Sequence, residues 1–369
     1  MKHKADRRSL VTLDDIARRL HVSRVTVSKA LRGHPDISEN TTLLVRKVAQ
    51  EIGYRPNIIA RTLSSRRSRM IGLVIPKIAH FFFGSVIEGV YNTAFNNNYE
   101  IILTVSQENP EREKKHLETL VSMRVDGIIV SITVGTKEMK IFEWIKRLGV
   151  PLLFVDRQPD PVPRGFSSIL VDDEGGTRNA IEHAISMGYR EIACIGGAMN
   201  VNIGKDRARG FRSAMKKHGL PVRRQWMVEG GFGKDAGYDG LIRFHTQNEM
   251  PELIFAMTYP IALGVYEAAK ELGLRIPEDV DVICFGDSDV GKIISPALSC
   301  VSQPNYELGS KAVELMLKIL ERTDAPREQH LVLPTDLVLR ETCTGKNVIK
   351  RLPGTGGQIK LLHPPTAQA

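Results

Sequence analysis

Arg24, Val25, Ser28, Lys29 and Arg32 are spaced so that one helix would carry all five on a single side, because Val27, Ala30 and Leu31 claim the opposite side. Cations, a hydroxyl and an exposed methyl-bearing side chain together suit guanine edges, thymine methyls and phosphates in a DNA major groove. No other grouping offers comparable chemistry. The paired glycines at 175–176, 196–197 and 230–231 lack the Lys-Ser/Thr that completes a phosphate loop, and the 10 histidines include no His-x-x-x-His. No nucleophile elbow is present. Asp172, Asp173 and Glu174 invite a metal, but acids opening a helix read as caps and dipole partners. The sequence therefore predicts no catalytic residue, no metal and no cofactor.

The elements that would position the basic face are short and well marked. Thr12 with Asp15 forms a capping box, and Leu13, Ile16, Ala17 and Leu20 follow as one apolar stripe. His21-Val22-Ser23 is only long enough for a turn, after which Ser23 caps the second helix. Gly33-His34-Pro35 breaks it, Ser38 caps a third helix, and Val45, Val48, Ala49 and Ile52 repeat the stripe. Behind them, Pro56 suits a first helical turn, but a helix of about eight residues does not persist alone in water. Leu63 stands among Arg61, Arg66, Arg67 and Arg69, which is the make-up of an apolar wedge delivered to a base step by phosphate-seeking arginines.

The stretches TLDDIARRLHVSRVTVSKAL and GYRPNIIARTL resemble the lactose/galactose repressor family of bacterial regulators, a likeness running from about Thr12 to about Thr342. That resemblance implies that Val25 and Lys29, with Arg24 beside them, read bases. It implies that Asn57 and Ala60 reach the minor groove from a hinge that becomes helical on the operator, with Leu63 as the wedge. Ser23, Thr26, Ser38, Thr41 and Tyr54 match phosphate-holding positions, and Thr12, Ser28 and Arg61 complete the expected DNA contacts. The implied partner is a double-stranded, pseudo-palindromic operator gripped by a homodimer.

Charge agrees with this division. Residues 1–70 hold 16 Lys+Arg against 6 Asp+Glu, so of the chain's net +9 this segment supplies +10 and the remainder −1. A basic head on a near-neutral body predicts salt-dependent phosphate binding. The start has no apolar h-region and the chain no run of about 18 apolar residues, so no membrane partner and a cytoplasmic location are expected. The 4 cysteines are single and far apart, which reads as buried reduced thiols.

From Met70 onward, apolar runs of strand length alternate with helical stripes, predicting parallel sheets with helices on both faces. The expected fold class is α/β: a three-helix helix-turn-helix domain and hinge, then a two-lobed, doubly wound body like a periplasmic binding protein. The expected domains are a basic arm at 1–11, the reader at 12–55, hinge helix and linker at 56–69, the body at 70–342 and a flexible tail at 343–369. Lobe 1 is expected at about 70–160 and 303–325 and lobe 2 at about 165–300 and 328–342, with Pro-rich 158–165 as the crossing and 295–305 as the return.

Ligands of such sheets sit beyond the carboxyl ends of the strands. The resemblance implies a small-molecule effector, a sugar or related metabolite, held by Asp156, Arg207, Phe232 and Gln303. Each also has a plainer reading: Asp156 as a partner of Arg157 or a turn cap, Phe232 as core, Gln303 as a hinge hydrogen bond. The chain departs from the family where Thr258-Tyr259-Pro260-Ile261 replaces an Asn-Asp pair, leaving Thr258 as the expected contact, and where Phe285-Gly286-Asp287 replaces an aromatic and two acids. Those losses leave open an effector that is no ordinary sugar, or none. A receptor that binds a small molecule without touching DNA is the alternative function; it leaves the first 63 residues unexplained.

Overall fold

The computed structural model describes residues 11–55, 67–78, 81–321 and 328–345. Residues 1–10 of the expected arm, the hinge positions Asn57, Ala60, Arg61 and Leu63, and the chain beyond 345 lie outside the described residues. Contacts divide the chain into two compact units, Met1–Ser68 and Arg69–Ala369.

In the first unit, α1 (Leu13–Leu20), α2 (Arg24–Leu31) and α3 (Glu39–Glu51) share one small core of Ile16, Ala17, Val27, Ala30, Val45, Val48 and Ala49. Local chemistry sets each start. The Asp15 carboxylate accepts both the backbone N–H and the hydroxyl of Thr12 at 2.8 Å, while Ser23 and Ser38 accept from the Thr26 and Thr41 amides. His21, in the left-handed region at φ 54°, ends α1 and turns the chain toward α2.

The second unit holds two six-stranded sheets. Strands β1 (Met70–Ile75), β2 (Glu100–Val105), β3 (Gly127–Val130), β4 (Leu152–Val155), β5 (Ser167–Val171) and β11 (His330–Leu333) form the first, in the order β11-β5-β4-β3-β1-β2, and β6 (Ile192–Ile195), β7 (Met227–Val228), β8 (Leu253–Ala256), β9 (Asp281–Phe285), β10 (Ser299–Ser302) and β12 (Asp336–Val338) the second, in the order β12-β10-β9-β8-β6-β7. Strands such as β3 (Gly127–Val130), β4 (Leu152–Val155) and β8 (Leu253–Ala256) are buried throughout, because helices cover both faces.

Three expectations are corrected here. First, β5 (Ser167–Val171) pairs with β4 and β11 (His330–Leu333) pairs with β5, so both belong to the first sheet, and 158–165 is a connection inside that lobe. The first crossing falls instead between β5 and α7 (Asp173–Ser186); the return, between β10 (Ser299–Ser302) and α12 (Asn305–Glu321), lies within the expected 295–305, and a third crossing joins β11 to β12 (Asp336–Val338). Second, the sheets are not wholly parallel, since β12 runs antiparallel to β10. Third, the folded body reaches past 342: Cys343 is fully buried and its amide donates to both Asp281 carboxylate oxygens at 3.0 Å.

Helices meet closely where glycines face each other. A Cβ on Gly237 of α9 (Lys234–Thr246) would stand 1.9 Å from the Ile261 carbonyl oxygen, and one on Gly264 of α10 (Tyr259–Leu272) 2.0 Å from that of Lys234. Gly237→Ala is expected to lower stability by about 1–3 kcal/mol, overpacking outweighing a helix-propensity gain of about 1 kcal/mol. The check is a lower urea midpoint with unchanged slope; an unchanged midpoint would show that the crossing yields freely.

Candidate functional site

The head presents its chemistry on α2. Val25 is 63% exposed, an apolar side chain set among the cations of that helix. Arg24 flanks it and lies 3.8 Å from Asp14. Arg32 folds back on Ser28, donating to its carbonyl at 3.1 Å and its hydroxyl at 2.6 Å. Lys29 is held by Asp36 at 2.8 Å, a partner that sequence spacing did not suggest because it stands across the Gly33 turn. Lys29 and then His34 hold the Asp36 carboxyl below the usual range. Hydroxyl pairs Ser23–Thr26 and Ser38–Thr41, each 2.8 Å apart, mark the N-termini of α2 and α3, where amide groups favour anions. Tyr54 is half-buried, and burial raises its hydroxyl pKa against the pull of Arg24. Leu43 and Leu44 on α3 are exposed and were not singled out from sequence.

In the second unit, Asp156, Arg207, Phe232, Thr258 and Gln303 all line one cavity, together with Arg157, Phe285 and Asp287, which the sequence offers only as a partner of Asp156 and as a departure from the family, and with Phe82 and Asn305, which it does not single out. Asp156 follows β4 in a left-handed conformation at φ 62°, a strained placement for a side chain that cannot be Gly. Ser131 donates to its carboxylate at 3.2 Å, and burial raises its pKa. Its carbonyl accepts from Asn202, whose own side-chain oxygen accepts from the Gln158 amide, so α8 (Asn202–Lys217) is tied to the end of β4.

Arg207 is the centre of the cleft. Its Nε donates to Asp173 at 2.8 Å, its Nη1 to the Met257 carbonyl at 2.5 Å, and its guanidinium lies 3.8 Å over the Phe285 ring. Burial pushes the Asp173 carboxyl up to about 7 despite that guanidinium. Asp173 is thus an ion-pair partner rather than a helix cap; Asp172, accepting from Gly175, is the cap. Arg157 donates to Glu108 at 2.7 Å and lies 5.0 Å over Phe232. Thr258 caps α10 and donates to the Phe232 carbonyl at 3.0 Å, so much of its hydroxyl capacity serves the wall itself. Asp287 is taken by Arg340, whose guanidinium, against the upward push of burial, holds its carboxyl below the usual range.

Among the described residues no cluster of three metal-ligating side chains occurs and no helix is long and apolar enough to cross a membrane. The 4 cysteines are free and buried.

Residues 12–57 match the model for bacterial regulatory proteins, lacI family, and residues 181–343 that for the periplasmic binding protein-like domain. The chain is 31% identical to catabolite control protein A of Priestia megaterium over 85% of its own length and 93% of that protein. It is 30% identical to the ribose operon repressor of Haemophilus influenzae over 90% of itself and 98% of the relative. In fold it is similar to a lac repressor dimer solved on its operator with an anti-inducer, at a TM-score of 0.81 and 24% identity, covering 91% of this chain and 99% of the other.

Proposed function

The chain belongs to the lacI family of bacterial regulatory proteins, and on that premise we infer that it is a cytoplasmic transcriptional repressor acting as a homodimer on a pseudo-palindromic operator. It is a regulator and not an enzyme. Two recognition helices, one from each protomer, enter successive major grooves, with Val25, Lys29 and Arg24 at base edges. Ser23, Thr26, Ser28, Ser38, Thr41, Tyr54 and Thr12 hold the sugar-phosphate backbone, which supplies most of the salt-dependent affinity. Asn57, Ala60 and Arg61 approach the minor groove and Leu63 opens the central step.

A small metabolite in the cleft between the two sheets controls operator affinity, through Asp156, Arg207, Phe232, Thr258 and Gln303. The observation that carries the reading is the exposed Val25 beside Arg24 and Lys29 on a capped second helix of a three-helix head. A receptor without a DNA role would have no use for that face.

Selection of bound fragments from random DNA at one stated salt concentration tests this. The expected product is an inverted repeat, and Lys29→Ala is expected to relax one base position in each half-site at a cost of about 1–3 kcal/mol. Asp36 must release Lys29 for that contact, so Asp36→Asn is expected to tighten binding most to sequences that carry the matching base. Recovery of no inverted repeat would overturn the proposal; uniform weakening by Lys29→Ala would make Lys29 a phosphate ligand instead.

A further inference from the structure

Among the described residues, the guanidinium groups that line the cleft or bond to its wall each have a carboxylate of their own. Arg207 takes Asp173 at 2.8 Å, Arg340 takes Asp287 at 2.7 Å and Arg157 takes Glu108 at 2.7 Å. Asp156 is left over. Its nearest cation is the Nε of Arg157 at 3.9 Å, too far for a hydrogen bond. Three polar atoms on the cavity wall are buried without a hydrogen-bond partner: the donors Arg157 Nε and Gln303 Nε2, and the acceptor Asn305 Oδ1.

We propose that Glu108 sets the charge class of the ligand: by neutralising Arg157 from outside the cavity, it confines the cleft to uncharged, hydroxyl- or amide-bearing metabolites and turns away phosphorylated or carboxylated ones. This rests on the cleft being the effector site. An anion entering here would exchange water for a low-dielectric wall whose cations are engaged and whose surplus group is an acid. A neutral ligand meets no such penalty. Its oxygens accept from Arg157 and Gln303 and a hydroxyl or amide hydrogen is donated to Asn305, which satisfies groups that are costly to leave open.

Glu108 is the lever because of where it stands. Its second oxygen accepts from the Val134 amide at 3.0 Å, and its side chain is 25% exposed, in contrast to Asp173 at 2%. Glu108→Gln keeps an acceptor for Val134 and removes only the charge, leaving Arg157, a residue of the cavity wall, as a cation whose Nε has no hydrogen-bond partner.

The test is calorimetric titration of the full-length wild type, Glu108→Gln and the double variant Glu108→Gln/Arg157→Ala, with Arg157→Ala as a further control. The probes are inorganic phosphate and the matched pair glucose and glucose 6-phosphate, at constant ionic strength. Phosphate binding that survives Arg157→Ala belongs to the basic head and is subtracted. The expected result is Arg157-dependent phosphate binding that Glu108→Gln shows at least tenfold above the detection limit, that wild type does not show, and that is lost in the double variant. Equal titrations of wild type and Glu108→Gln would overturn the proposal, as would Arg157-dependent binding of phosphate or glucose 6-phosphate by wild type. Should Glu108→Gln not fold, that wild-type comparison with Arg157→Ala still decides. Phosphate requires no knowledge of the effector, so failure of the regulator reading would appear elsewhere, as operator binding that no cleft substitution alters.

Discussion

Arg207→Ala is expected to lose about 3–5 kcal/mol of stability, the cost of leaving one member of a buried ion pair without the other. Asp173, 3% exposed in the wild type, would be left with no guanidinium beside it. The loss should depend on pH, and its sign follows from Asp173. In the wild type burial holds that carboxyl at about 7, above its ordinary 3.8, so the folded state keeps a proton that the unfolded chain releases. Asp173 therefore favours folding most at low pH and does so less as pH rises toward 7. Removing Arg207 pushes the carboxyl higher still and extends that decline to higher pH. Thermal melts at pH 5 and pH 8 should show the variant falling further behind wild type at the higher value. A gap independent of pH would mean that the pair contributes through packing alone. Because Arg207 is the fixed fork of the cleft, ligand-induced stabilisation should also vanish in the variant.

Leu63→Ala is expected to weaken operator binding by about 10- to 100-fold while leaving non-specific binding and its salt slope in place. An apolar wedge recovers the energy of unstacking a base step only where the duplex bends to meet it, a cost of a few kcal/mol that differs between sequences. Phosphate contacts supply the non-specific affinity and are untouched by the change. Competition titrations of operator and scrambled duplex at two salt concentrations separate the two. Equal loss on both sequences would remove the wedge from the mechanism.

How much could be read in advance followed the range of the interactions. Caps and apolar stripes act over three or four residues, so α1, α2 and α3, with Thr12, Ser23 and Ser38 at their starts, were legible from spacing alone. Strands buried on both faces announced themselves as apolar runs, except Ser299–Ser302, whose largely buried Ser-Cys-Val-Ser lies within the stretch expected to be the return. β11 has only Leu331-Val332-Leu333 to mark it, too short an apolar run to tell an edge strand from a loop, and the sequence places Asn305–Glu321 in the first lobe without predicting its helix. The proline-rich stretch at 158–165 misled because proline signals a turn without saying which elements the turn joins. In the cleft, five wall residues were reached through the family likeness, but their partners were not. Arg207 meets Asp173 across 34 residues and Arg157 meets Glu108 across 49, and nothing in a list of charges says which acid a buried cation will find. Lys29 and Asp36 failed for the opposite reason: they are near in sequence, but the Gly33 turn between them breaks the helical count.

The three crossings bear on how the chain is made. β5 stays unpaired along one side until β11 arrives, and β11 lies at His330–Leu333, behind the whole of the second sheet except β12. A ribosome thus releases most of the first lobe long before its outer strand exists, and the missing strand is also the segment that leads into the last strand of the other lobe. Early chain termination anywhere before residue 330 would therefore leave both halves open-edged, and nascent chains stalled there should be the ones that need chaperones and are quickly cleared.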